Sequence, residues 1–135
     1  MLTHTYQTIL RLHHTDAAGV LFFAHQFTLI HEAYESMMEA IGFPLRRLLA
    51  EKTFTLPIIQ AEAHYTHPLF LGDRVTILLT VDQVTSSAFR LHYHLRNQDH
   101  LLTGEAKTVH TAIDPANRQK IPLPPELKAC LQAST

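Results

Sequence analysis

The segment with the most chemical promise is Asp16-Ala17-Ala18-Gly19-Val20-Leu21-Phe22-Phe23-Ala24, a carboxylate at an expected strand end with an expected helix start within reach. The first turn of a helix leaves backbone N–H groups unpaired at the positive end of the helix dipole. Such groups can polarise a carbonyl and hold a developing oxyanion. Asp16 could then serve as a nucleophile or as a base that activates water, and either role suits acyl chemistry. On spacing alone a turn or cap role for Asp16 fits better, because Asp is common in such places. An ordinary Asp, with a pKa of about 3.9, is ionised near neutrality but is a feeble base.

Other chemistries lack their parts. A serine nucleophile elbow needs Gly-x-Ser-x-Gly, and the four glycines, at 19, 42, 72 and 104, provide none. Ser36, Ser86, Ser87 and Ser134 therefore read as surface residues, and Cys130 lies in a polar tail. No two glycines lie close enough for a phosphate-cradling loop or a dinucleotide fingerprint. Histidine is abundant, with 11 copies, and the pairs His13-His14 and His92/His94 are conceivable metal ligands. No His-x-x-Glu-His or Cys-x-x-Cys set accompanies them, so they read as solvated or hydrogen-bonded side chains, and neither metal nor cofactor is expected.

These residues need elements to hold them. Thr5 to His13 reads as a modest strand ending at the Thr15–Gly19 turn. Phe27, Ile30, Tyr34, Met37, Met38 and Ile41 recur at helical spacing, with Glu32, Glu35 and Glu39 opposite, so an amphipathic helix is predicted over about Ala24 to Ile41, stopped by Gly42 and Pro44. Strands are predicted at Pro57 to His67, Arg74 to Val84, Ala88 to Asn97 and Leu101 to Ile113. In the third of these Phe89, Leu91, Tyr93 and Leu95 alternate with Arg90, His92, His94 and Arg96, one face for a core and one for water or an interface. The order strand, long helix, four strands is an α+β arrangement with the helix on one sheet face. A single domain is expected over 1–135, with a core from about 5 to 113 and a Pro-rich tail from 114 to 135 that holds a short helical turn at Glu126 to Leu131.

Composition narrows the setting. Apolar residues make up 46% and charged residues 17%, a globular balance. Lys and Arg total 11 against 12 Asp and Glu, so no field steers the chain onto nucleic acid. The N-terminus carries no signal-like leader, and no apolar run approaches a membrane span. With a single cysteine, a reducing, cytoplasmic setting is expected.

Three stretches carry a resemblance: Thr15-Asp16-Ala17-Ala18-Gly19-Val20 with Phe22-Phe23; His31-Glu32-Ala33-Tyr34-Glu35; and Tyr65-x-x-Pro68-x-x-x-Gly72-Asp73. Together they resemble the 4-hydroxybenzoyl-CoA thioesterase family of hotdog-fold proteins. The His-Glu-Ala-Tyr-Glu helix, Leu56-Pro57, and the tail Arg118-x-Lys120-x-Pro122-Leu123-Pro124 are most similar to the cyanobacterial 1,4-dihydroxy-2-naphthoyl-CoA thioesterases of that family. The likeness runs from about Tyr6 to Leu127.

The resemblance implies a long central helix wrapped by about five antiparallel strands, in a homo-oligomer that is a dimer or a dimer of dimers with active sites at subunit interfaces. It assigns Asp16 as the catalytic carboxylate, the backbone N–H of Phe23 as the oxyanion donor, and Gly19 as the residue that lets the loop turn. Phe22, Phe54 and Tyr65 are candidates for lining an aromatic acyl pocket. Glu32 and Glu35 are rival acids, because another hotdog lineage carries its carboxylate on the central helix; with Glu39 they fit better as its polar face. Relatives carry a basic cluster near the turn between the third and fourth strands, where this chain has Thr85-Ser86-Ser87. Arg90, Arg96 and Lys107 become the candidate CoA contacts. The activity implied is hydrolysis of 1,4-dihydroxy-2-naphthoyl-CoA in phylloquinone synthesis. The alternatives are a broader aryl- or medium-chain acyl-CoA thioesterase and a non-catalytic acyl-binding protein.

Overall fold

The structure is a computed structural model that describes residues 1–134. Five strands, β1 (Thr3–Ile9), β2 (Ile58–Tyr65), β3 (Arg74–Val84), β4 (Ala88–Arg96) and β5 (Leu102–Thr111), form one antiparallel sheet in the order β1-β3-β4-β5-β2. The long helix α1 (His25–Ala40) lies across one face. This is the α+β arrangement that the order of elements predicted, in the hotdog form that the resemblance implied.

Alternation decides which face the helix covers. Val75, Ile77, Leu79 and Val81 of β3 and Phe89, Leu91, Tyr93 and Leu95 of β4 are buried, while their neighbours along each strand are more exposed. Against them α1 packs Leu29, Ile30, Ala33, Tyr34, Met37 and Met38, the stripe that its 3.6-residue period generates. The helix stops where Gly42 takes φ +90 and the Phe43 N–H returns to the Met38 carbonyl at 2.8 Å, a closure that the missing Cβ favours.

Two regions depart from the sequence reading. Leu45–Glu51 forms a second helix, α2, of which only Leu48 is buried; seven residues with one buried position present no period to read. The proline-rich tail forms the expected helical turn, as α3 (Pro125–Gln132), but instead of lying outside the 5–113 core it places Leu123, Leu127 and Leu131 in the interior. The Leu2 N–H bonds to the Leu131 carbonyl at 3.2 Å, so the two ends of the chain lie together.

Candidate active site

β1 ends at Ile9, and the chain leaves the sheet under the control of a distant segment. The Leu10 N–H donates to the Asp73 carbonyl and the Gly72 N–H to the Leu10 carbonyl, both at 2.9 Å. A 3-10 turn at Leu12–His14 follows, in which the buried His14 ring accepts the Arg11 N–H at 2.9 Å. Burial, helped by His13, His25 and Arg11 nearby, holds this imidazole below its usual range and therefore neutral.

Asp16 opens a tight turn. Its N–H donates to the Val20 carbonyl at 2.9 Å, and the Gly19 N–H donates to the Asp16 carbonyl at 3.1 Å. One carboxylate oxygen, Oδ1, accepts the Ala18 N–H at 2.9 Å and the Val20 N–H at 3.4 Å, while the side chain stays exposed. Gly19 takes φ +78, a conformation that costs an L-residue about 1–2 kcal/mol. The Gly72-Asp73 stretch pins the far side: the Leu21 N–H reaches the Leu69 carbonyl at 2.8 Å and the Leu71 N–H reaches the Gly19 carbonyl at 3.0 Å. Asp73 braces its own turn by accepting the Phe70 N–H at 2.8 Å. The two motifs, some fifty residues apart in the chain, are thus halves of one loop pair.

Helix α1 begins directly beyond. The Phe22 N–H donates to the His14 carbonyl at 2.9 Å, and the His25 N–H closes back on Phe22. No side chain caps the helix, no acidic residue stands in its first turn, and among the described residues the Phe23 and Ala24 N–H groups have no backbone acceptor. The positive end of a 16-residue helix is therefore left open beside a carboxylate-bearing turn. Its position is fixed from below. Tyr65, at the end of β2, donates its hydroxyl to the Phe23 carbonyl at 2.7 Å. Gln26, buried at 1% exposure, donates to the carbonyls of His64 (3.2 Å) and Glu105 (3.1 Å). Gln26 carried no signal in the sequence; the only trace is Gly104, where a Cβ would stand 2.6 Å from the Gln26 side-chain oxygen.

A cleft of about 360 Å³ opens at this helix start, lined by Val20, Leu21, Phe23, Gln26, Tyr65 and Leu69 among others. Of the expected acyl-pocket residues, Tyr65 lines it. Phe22 stands beside it at 41% exposure, its ring 4.7 Å from that of Phe23. Phe54 is buried elsewhere, against α2 and Tyr34 in a separate cavity of about 260 Å³. The candidate CoA contacts are not on the cleft wall. Arg90 is paired with Asp82 at 2.7 Å, Arg96 donates to the His100 carbonyl at 3.2 Å, and Lys107 shares a small cavity of about 70 Å³ with Arg90 and Glu62.

Glu35 and Glu39 are exposed on α1, as a polar face requires. Glu32 differs: its Oε2 is buried without a partner among the described residues, and burial raises its carboxyl above the ordinary range. It faces a second cavity, of about 420 Å³, farther along the helix with His31, Glu35, Tyr93 and Thr108.

Residues 10–131 match the thioesterase-like superfamily. A 1,4-dihydroxy-2-naphthoyl-CoA hydrolase of Microcystis aeruginosa is 39% identical over 91% of this chain and 88% of its own length. One from Rippkaea orientalis is 38% identical, covering 96% and 95%. Among solved structures, a 1,4-dihydroxy-2-naphthoyl-CoA thioesterase from Synechocystis superposes with a TM-score of 0.91 at 31% identity, covering 96% of this chain and 95% of that one. With its sheet order, its central helix and its sequence all in agreement, this chain belongs to the thioesterase-like family of hotdog proteins.

Proposed function

We propose that this protein hydrolyses 1,4-dihydroxy-2-naphthoyl-CoA to the free naphthoate and CoA, serving phylloquinone synthesis in the cytoplasm. The observation that carries the reading is the open, uncapped start of α1 set beside the Asp16 turn, in a chain whose relatives of nearly equal length bear that activity in their names. A cleft of about 360 Å³ lies near the lower end of small-ligand pockets and suits a two-ring aromatic acyl group better than a long chain.

In the reaction proposed, an Asp16 carboxylate oxygen adds to the thioester carbonyl carbon, and the Phe23 N–H holds the resulting oxyanion. Collapse expels the CoA thiolate and leaves an acyl–aspartyl anhydride. Water then cleaves the anhydride, returning the Asp16 carboxylate and releasing the acid. Oδ1 is already engaged by two backbone N–H groups, which leaves Oδ2 as the attacking atom.

The test is CoA release from 1,4-dihydroxy-2-naphthoyl-CoA, 4-hydroxybenzoyl-CoA, benzoyl-CoA and aliphatic acyl-CoAs, with Asp16→Asn alongside. The expected result is a strong preference for the naphthoyl thioester and a fall in turnover of at least ~100-fold in the variant. Flat activity that the variant retains overturns the reading.

The same proposal includes a homo-oligomer. β2 is a sheet edge exposed along nearly its whole length, with Ile58 and Ile59 at 43% and 59% exposure, and pairing with a second copy is how such an edge is ordinarily covered. Light scattering at micromolar concentration should give a dimer or a dimer of dimers; a monomer mass counts against a shared active site.

A further inference from the structure

On the sheet face opposite α1, three side chains converge that the sequence keeps apart. His92 and His94 alternate outward on β4, and Glu105 stands directly across from His94 in the β4–β5 register. The Glu105 carboxylate lies 3.0 Å from His94 Nε2 and 3.9 Å from His92 Nε2, and all three donor atoms fall within 4.8 Å of one another. We propose that His92, His94 and Glu105 form a binding site for a divalent transition metal of the zinc type, on the outer sheet face.

Geometry is the first support. Tetrahedral zinc holds nitrogen and oxygen ligands at about 2.0–2.2 Å, which places neighbouring donors about 3.3 Å apart. The separations here bracket that value, so small side-chain rotations suffice to close the triangle around an ion. Three protein ligands leave a fourth position for water. Two imidazoles with one carboxylate favour zinc, nickel or copper over magnesium or calcium, which take oxygen donors.

The surroundings are the second. The two rings stand 4.3 Å apart beside the single Glu105 carboxylate, with Lys107 across from His92. With side-chain exposures of 27%, 29% and 38% the donors are partly desolvated yet open to solvent. His94 Nδ1 is buried without a partner among the described residues, so the ring lacks the outer hydrogen bond that strengthens permanent sites. The site is accordingly an exchangeable one.

The experiment is equilibrium dialysis of the chelator-stripped full chain against Zn²⁺, with histidine ring NMR during the titration. One Zn²⁺ per chain should bind saturably, and the ring signals that move should be those of His92 and His94. His92→Ala and Glu105→Gln should each weaken binding at least ~10-fold, while His100→Asn, outside the cluster, leaves it unchanged. Matching thermal melts of the metal-free variants separate a lost site from a lost fold. The proposal is overturned if wild type shows no saturable uptake, if other rings such as His13 and His14 respond instead, or if His92→Ala binds as wild type does.

Discussion

Asp16 and Gly19 divide one task, since the first presents a carboxylate and the second sets the direction of the chain beneath it. The carboxylate spends Oδ1 on its own loop, accepting the Ala18 and Val20 N–H groups, and the turn that permits this closes only with φ +78 at residue 19. A Cβ added at Gly19 meets nothing within 4 Å, so a substitution there changes backbone energy alone. Gly19→Ala should therefore cost about 1 kcal/mol in urea unfolding, and Gly19→Asn less, because Asn tolerates the left-handed region. Equal stability of all three proteins would show that the loop relaxes freely. The turn at Asp16 and Gly19 was legible from the order of its residues. Gln26 was not, because its role depends on carbonyls of two strands that lie 38 and 79 residues further along the chain.

Helix α1 is held by what lies under its first turn rather than by a cap. Tyr65 fixes the Phe23 carbonyl, Gln26 ties the next turn to β2 and β5, and Gly104 leaves the room that Gln26 fills. Gly104→Ala would place a Cβ 2.6 Å from the Gln26 oxygen and 2.9 Å from the His64 carbonyl. It should destabilise by about 1–3 kcal/mol and lower turnover by shifting the helix start. If the clash with Gln26 is the main cost, Gly104→Ala and Gln26→Ala are not additive, and the double variant recovers part of the loss. Strict additivity in a double-mutant cycle would assign the cost to the His64 carbonyl instead. The long elements were readable because their periods are long: β3 spans the predicted residues, and α1, β4 and β5 differ by a residue or two at their ends. Where the signal was short it failed. α2 offers one buried leucine, and the expected first strand ran on to His13 because its residues suit a strand, although Leu10 is drawn away to Asp73.

Across the whole molecule, the core carries a polar thread that hydropathy alone conceals. The Tyr93 hydroxyl meets Thr108 Oγ1 at 2.9 Å, Thr108 meets His110 Nε2 at 3.0 Å, and His110 Nδ1 reaches the Leu56 carbonyl at 3.3 Å. The His110 ring is fully buried between Phe89 and Tyr34, with centroids at 5.0 and 4.4 Å. Burial drives its pKa from 6.5 down to about 4, against the pull of the Leu56 carbonyl. The unfolded chain therefore takes up a proton between pH 6.5 and 4 that the folded chain refuses, so stability falls as the pH drops through that window and levels off below it. From pH 7 to pH 5 this one group should remove about 2 kcal/mol. His110→Gln, which keeps hydrogen-bonding capacity without the titration, should start less stable at pH 7 and lose correspondingly less on acidification. Urea midpoints at the two pH values decide it. If the variant loses as much as wild type, the acid sensitivity lies with other histidines, of which His4, His14 and His92 are also held below their usual range.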